Sequence, residues 1–233
     1  MGVETVKIIN NITNKLGDDL RERMTPKSKI SIAAACFSVY AYEELKAELE
    51  RVEALRFIFT SPTFLSEPAA KERREFYIPR KNREQALHGS EFEIRLRNEL
   101  SQRTIARECA QWIRQKAQFK SIRTNETIPG FVCVDQENPV TYAPVNGFTR
   151  VDLGCERGGN LISMINQLDA PESKDYLALF DQLWTDKKRM EDVTQQVLEN
   201  ISTAYRENSP ELLYFFALYN IFNDFFENVN QDE

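Results

Sequence analysis

Residues Lys29–Thr60, KISIAAACFSVYAYEELKAELERVEALRFIFT, decide the fold. The stretch opens on a nearly all-apolar run, Lys29–Phe37, whose length and Ile content suit a strand buried on both faces, as in a parallel sheet. Ala33, Ala34 and Ala35 are weak strand formers, but their small side chains let a helix pack closely. Tyr42–Val52 then reads as a helix, with Leu45, Leu49 and Val52 on one face and Glu43, Glu44, Glu48 and Glu50 largely outside. Leu55–Thr60 is a second apolar strand, stopped by Ser61-Pro62. Strand, helix and strand make a βαβ unit, for which parallel strands and a right-handed crossover are expected.

Upstream, Val3, Val6, Ile9, Ile12 (or Thr13) and Leu16 recur at helical spacing and predict a leading amphipathic helix over Val3–Leu20; Pro26 ends any helix near Met24. Downstream, Ser61–Gly89 has no clear periodicity and holds Pro62, Pro68 and Pro79 with a dense basic run, Lys71, Arg73, Arg74, Arg80, Lys81 and Arg83. Loops of this length inside a domain are commonly functional or mobile. His88, the single histidine, sits beside Gly89 before a helix and reads as a turn residue rather than a ligand or base. Ser90 is a good N-cap, Glu91 and Glu93 suit the first turn, and the helix is expected to run to about Lys116. Phe92, Leu96, Leu100, Ile105, Cys109, Trp112 and Ile113 mark its buried stripe. Arg95, Arg103, Arg107 and Arg114 fall away from that stripe, as a phosphate-facing ridge or as a solvated face.

Phe119–Arg123, Gly130–Val134 and Thr141–Phe148 are candidate strands, the last irregular or at an edge because of Pro144. From Leu161 the pattern is helical: Leu161, Ile162, Ile165 and Leu168 before a break at Pro171, then Tyr176–Trp184, then a stripe from Val193 to Tyr205. The aromatic-rich Leu212–Val229 reads as a core helix or a docking surface. The expected organisation is an α/β domain over 1–160 and a helical C-terminal subdomain over 161–233, with helices on both faces of a central sheet.

The net charge of −6 hides an asymmetry. Residues 1–70 carry −1, residues 71–123 carry +7 and residues 124–233 carry −12. The basic middle third is either a face for an anionic ligand or a mixed-charge surface that keeps helices soluble. Lys187, Lys188 and Arg189 sit among acidic neighbours and are expected to matter little for such a ligand. The four cysteines, Cys36, Cys109, Cys133 and Cys155, are far apart with no C-x-x-C pair and read as free thiols of a reducing cytosol. No apolar run approaches the roughly 18–20 residues of a membrane span, and the start has no signal-peptide core.

Chemical motifs are few. Gly154, Gly158 and Gly159 frame a loop in LGCERGGN, but no Gly-Lys-Ser/Thr follows and the spacing is not a dinucleotide fingerprint. Asp135, Glu137, Asp152 and Glu156 would suit Mg²⁺ only if they converged. No cofactor and no metal site is expected.

The order KISIAAACFSVYAYEELKAEL, LRFIFTSPTF, FKSIR, IPGFVCVD, NGFTRVDLG resembles the phospholipase D-like fold. With REFYIPRKNREQALHGSEFEIRLRNELSQRTIARECAQWIR, DLGCERGGN and NISTAYRENSPELLYFFALYNIF, nearly the whole chain is similar to the N-terminal region of large bacterial Swi/Snf-type helicases, in which such a domain precedes an ATP-driven motor. Active members of the fold carry H-x-K and then a G-S-x-N-like turn; the His is the nucleophile, and the Lys and Asn stabilise phosphoryl oxygens. The resemblance places Ile128-Pro129-Gly130 where H-x-K would stand and Pro144-Val145-Asn146-Gly147 where G-S-x-N would stand. Ile128 then replaces the His, Gly130 the Lys and Gly147 the Asn, with Asn146 one place away; no catalytic residue carries over.

The resemblance therefore implies a catalytically silent, cytoplasmic accessory domain that binds DNA or a partner and regulates a DEAD/DEAH-like helicase motor expected beyond Glu233. The candidate nucleic-acid-binding residues are Arg73, Arg74, Arg80, Lys81, Arg83, Arg95, Arg103 and Arg107. Two other readings stay open: a divergent phosphodiesterase or nuclease, and a pure interaction or dimerisation domain, with a homodimer as one outcome, that uses the aromatic C-terminal helix.

Overall fold

The computed structural model describes residues 7–60, 91–124, 126–158 and 162–203, with the backbone alone for 91–101 and 203. The chain is α/β, built on one mixed eight-stranded sheet in the order β1-β7-β6-β5-β2-β3-β4-β8. Its centre is the βαβ unit expected from the sequence: β2 (Lys29–Ala34), the short helices α1 (Leu16–Arg23) before it and α2 (Val39–Glu44) and α3 (Lys46–Leu49) after it, then β3 (Ala54–Phe59). β2 and β3 are parallel, with Ile30 opposite Leu55 and Ile32 opposite Phe57. Five consecutive residues of β2, Ile30–Ala34, are buried, because both of its faces are covered. Ser38 caps α2 by accepting a hydrogen bond from the Tyr40 amide.

The long helix α4 (Glu91–Lys116) leads into β4 (Ala117–Ile122), parallel to β3. β5 (Phe131–Asp135) runs antiparallel to β2 on its other side, followed by the antiparallel β6 (Val140–Ala143) and β7 (Ile165–Leu168). β1 (Lys7–Ile9) closes that edge against β7. After α5 (Glu172–Thr185), β8 (Met190–Asp192) closes the other edge against β4, and α6 (Thr194–Thr203) follows.

The two faces of the sheet are packed unequally. One is covered by α1, α2, α3, α4 and α6, which bury Leu20, Tyr42, Leu49, Trp112 and Ile201 over Ile30, Ile32, Phe57 and Phe119. Fully burying a large apolar side chain of this kind contributes roughly 1.5–3 kcal/mol. Trp112 donates its indole N–H to the Leu49 carbonyl at 3.0 Å, so its polar atom is satisfied. The other face carries α5, whose Phe180 packs over Ala33, Ile58, Ile122, Phe131 and Met190. There the Arg56 guanidinium lies 4.9 Å from the Phe180 ring centre, and Lys120 Nζ lies 4.6 Å from that of Trp184.

Two expectations are corrected. Val3–Leu20 is not one helix: Lys7–Ile9 is a strand and helix begins only at Leu16. The Asn10 side chain accepts from the amides of Ile12, Thr13 and Asn14 at 2.9, 2.9 and 3.1 Å, taking up donors that a helix would use otherwise. Nor is 162–168 helical: Ile165 and Gln167 point inward while Asn166 is exposed, the period of a strand. β7 and β8 belong to the same sheet as β2, so the boundary expected at residue 160 falls within one continuous sheet.

Candidate functional site

In open α/β sheets, ligands lie outside the carboxyl ends of the parallel strands, where strand order reverses. Here that place is the end of β2, β3 and β4, with the start of β5 alongside. Ile128, Gly130 and Gly147, the positions matched to H-x-K and the following Asn, all meet there. The chain beyond β6 crosses the start of β5: Val145 N donates to the Gly130 carbonyl at 2.9 Å. It then runs along the extension of β2, where Ala35 N donates to Asn146 O at 2.8 Å and Phe148 N to Cys36 O at 2.9 Å. Phe37 and Phe148 form a parallel bridge.

Two of the three positions are closed to a side chain, Gly130 by the crossing backbone and Gly147 by neighbouring side chains. A Cβ on Gly130 would lie 1.9 Å from the Val145 carbonyl oxygen and 3.1 Å from that of Ala33, both backbone atoms. A Cβ on Gly147 would lie 2.7 Å from Asp152 Oδ2 and 2.7 Å from Cys36 Sγ. The Asp152 carboxylate accepts from the Thr149 hydroxyl at 2.5 Å, and Asn11 donates to the Asp152 carbonyl at 2.8 Å, so the wall beside Gly147 is itself held. Partial withdrawal of the Cys36 sulfur from water, and then the Asp152 carboxylate, push that thiol above its ordinary range.

Ile128 is placed differently. Its amide donates to the Thr60 carbonyl at 3.3 Å, which ties it to the end of β3. Its half-buried side chain packs against the cluster around Phe180 and lines a shallow cleft of about 300 Å³ with Ile122, Leu183, Met190, Glu126 and Arg189. A larger cleft, about 570 Å³, lies at the opposite end of the strands, between Lys29, Arg56, Lys116, Asp135 and Asp181. Its cations are engaged: Lys116 donates to the Glu50 and Val52 carbonyls, both at 2.7 Å, Arg56 meets Asp181 at 2.7 Å, and Lys29 meets Glu53 at 3.2 Å.

Of the candidate nucleic-acid-binding residues, Arg73, Arg74, Arg80, Lys81 and Arg83 lie outside the described residues, as does His88. Arg95 is on α4 by its backbone. Arg103 is half-buried and Arg107 exposed, one helical turn apart on the same side of α4. The four carboxylates weighed as a magnesium site do not converge. Asp135 ends β5 in the 570 Å³ cleft, with Glu137 just beyond it, whereas Asp152 stands beside Cys36 at the other end of the strand. Among the described residues, no cluster of three metal-ligating side chains occurs.

The loop at Gly154 does not make a phosphate cradle either. The amides of Leu153, Gly154, Cys155 and Glu156 donate to carbonyls of Thr149, Val151 and Arg150 within the loop. Gly154 is required there because its φ of 74° is left-handed. The cysteines are free: Cys109 and Cys133 are buried, Cys36 is exposed and Cys155 half-buried. Burial pushes the Cys133 thiol up to about 12, and Cys109 is raised by burial as well, so neither is a nucleophile at neutral pH.

Sequence reading missed one grouping. Arg123 and Arg189 come together because Arg123 N donates to Arg189 O at 2.8 Å, and Arg189 lines the Ile128 cleft, with Lys187 and Lys188 preceding it in the chain. The two segments are far apart in the chain, and β8, which joins them, is too short to signal itself. No described helix is long and apolar enough to cross a membrane. Compared with known proteins, the chain matches no family model and no curated sequence.

Proposed function

We propose that this chain is a catalytically silent phospholipase D-like module, an accessory domain that binds nucleic acid and regulates the motor of a bacterial Swi/Snf-type helicase. The observation that carries the silent part is the closure at Gly130. A lysine there, needed to stabilise a phosphoryl oxygen, would drive its Cβ to 1.9 Å from the Val145 carbonyl oxygen. Ile128 offers no nucleophile beside it. The nucleic-acid part is supported by the +7 charge of residues 71–123, of which Arg103 and Arg107 share one side of α4.

Phosphate contacts release counterions and carry no base information, so the reading implies salt-dependent, sequence-independent binding of about micromolar strength at physiological salt. The test is a pair of measurements on the purified chain. Hydrolysis of bis-p-nitrophenyl phosphate, with and without Mg²⁺, is expected to stay at the uncatalysed rate. Titration of a labelled oligonucleotide over a salt series is expected to show binding that weakens steeply with salt. Turnover that survives repurification and needs Mg²⁺ would establish the nuclease reading instead. Absence of binding at low salt would leave the interaction-domain reading.

A further inference from the structure

The cleft beside Ile128 combines an apolar floor with loosely held positive charge. The floor is Ile122, Ile128, Leu183 and Met190. Glu126 and Arg189 stand on the rim, with side chains 62% and 56% exposed. Beyond the rim, Asp186 Oδ1 accepts from the amides of Lys188 and Arg189 at 2.9 and 3.2 Å, a tight turn that leaves Lys187 and Lys188 exposed.

The ion pairs of this rim are long. Arg189 lies 3.6 Å from Glu126 and 3.9 Å from Asp186, and Arg123 lies 3.7 Å from Glu191. Exposed pairs of this kind are worth roughly 0–1 kcal/mol, and a phosphate that accepts two guanidinium N–H bonds displaces them. Among the described residues, no carboxylate lies within ion-pairing distance of Lys187 or Lys188. The larger cleft at the other end lacks this property, since its cations are already bonded. The Ile128 cleft also lies at the carboxyl end of β4, on the ligand-binding side of such sheets.

We infer that this cleft seats one nucleotide unit, its base on the apolar floor and its phosphate on Lys187, Lys188 and Arg189. The inference rests on the nucleic-acid reading above and adds to the basic segment 71–123 a second contact that seats a base. It reverses the expectation that Lys187, Lys188 and Arg189 matter little: long ion pairs hold the arginine loosely, and among the described residues no carboxylate pairs with the two lysines. A base reaches the floor only when unstacked, so a single strand is the polymer that fits, and a free nucleotide shares the same chemistry.

The test uses the full chain carrying Thr127→Trp, a reporter at an exposed position that lines the cleft. A fifteen-residue oligothymidylate is expected to quench its fluorescence, whereas an abasic strand of equal length and inorganic phosphate are not. Quenching by thymidine monophosphate as well would assign the free nucleotide; quenching by the strand alone would assign the polymer; both support the cleft. Reversal of the three exposed cations, Lys187→Glu, Lys188→Glu and Arg189→Glu, is expected to weaken strand binding about tenfold or more, with unchanged circular dichroism. Glu126→Gln, which removes a competing carboxylate, is expected to tighten it. Reversal at Arg73, Arg74, Arg80 and Lys81 is expected to leave the quenching intact. If the strand binds but the triple reversal changes affinity less than twofold, the cleft is not the site while the nucleic-acid reading stands. If an abasic strand quenches equally, no base is seated and the inference fails. If the wild-type chain binds no strand at low salt, both readings fall.

Discussion

Positions 128 and 130 are two residues apart and meet opposite surroundings. Ile128 lines an open cleft and is half-buried, whereas Gly130 lies under the crossing backbone of Val145 with no room for a single carbon. The difference is one of what blocks the space. Beside Ile128 the neighbours are side chains that can shift, while beside Gly130 they are carbonyls held in a hydrogen-bonded crossing. At position 130 the space is closed by main chain, and the exchange of a neighbouring side chain does not open it.

The largest expected effect follows at Gly130. Gly130→Lys should destabilise the chain by more than about 4 kcal/mol or prevent folding, read by urea denaturation, because the Val145 N–H···O=C Gly130 crossing has to come apart. A loss below about 1 kcal/mol would mean that the crossing yields easily and that the contrast with Ile128 is false. Gly147→Ala should cost less, about 1–3 kcal/mol in the same assay, since the atoms in its way are the ends of the Asp152 and Cys36 side chains. Smaller again, Ile128→His should fold with a loss of about 1 kcal/mol and should not hydrolyse phosphodiesters, because no cation can follow at position 130. Activity in that single variant would show that the closure does not govern the chemistry.

The smallest effect sharpens the closed side. The Cys36 thiol is raised by withdrawal from water and, second, by Asp152, so its thiolate fraction at pH 8 is low and its modification by a maleimide should be slow. Asp152→Asn removes the lesser cause, lowers the thiol pKa and should speed modification by less than about tenfold, since a tenfold gain corresponds to one full pKa unit. An unchanged rate would mean that the carboxylate does not act on the sulfur.

Much of the centre was legible in advance. The apolar runs at β2 and β3 and the cap and stripe of α4 are local signals, and the structure places Glu91–Lys116 within a residue of the expected limits. The edges were not legible. β1 and β8 are three residues each, too short for a period to declare itself, and each exists because a partner strand supplies its hydrogen bonds. Leu161, Ile162, Ile165 and Leu168 fit a helical spacing as well as a strand, and pairing with β1 and β6 settles the matter for Ile165–Leu168. The cation group at the Ile128 cleft was hidden for the same reason, since Arg123 and Lys187–Arg189 become neighbours only when β4 and β8 pair.

By itself the sequence determined the buried parallel strands, the long helix and the lack of any histidine near position 128, all properties of residue type and spacing along the chain. Tertiary structure alone decided that position 130 is sealed, that position 128 opens on a cleft and that strands on either side of residue 160 share one sheet. Periodicity reports which face of an element is apolar, but the room left at a residue depends on which distant backbone crosses it, and that is set by hydrogen bonds between segments far apart in the chain.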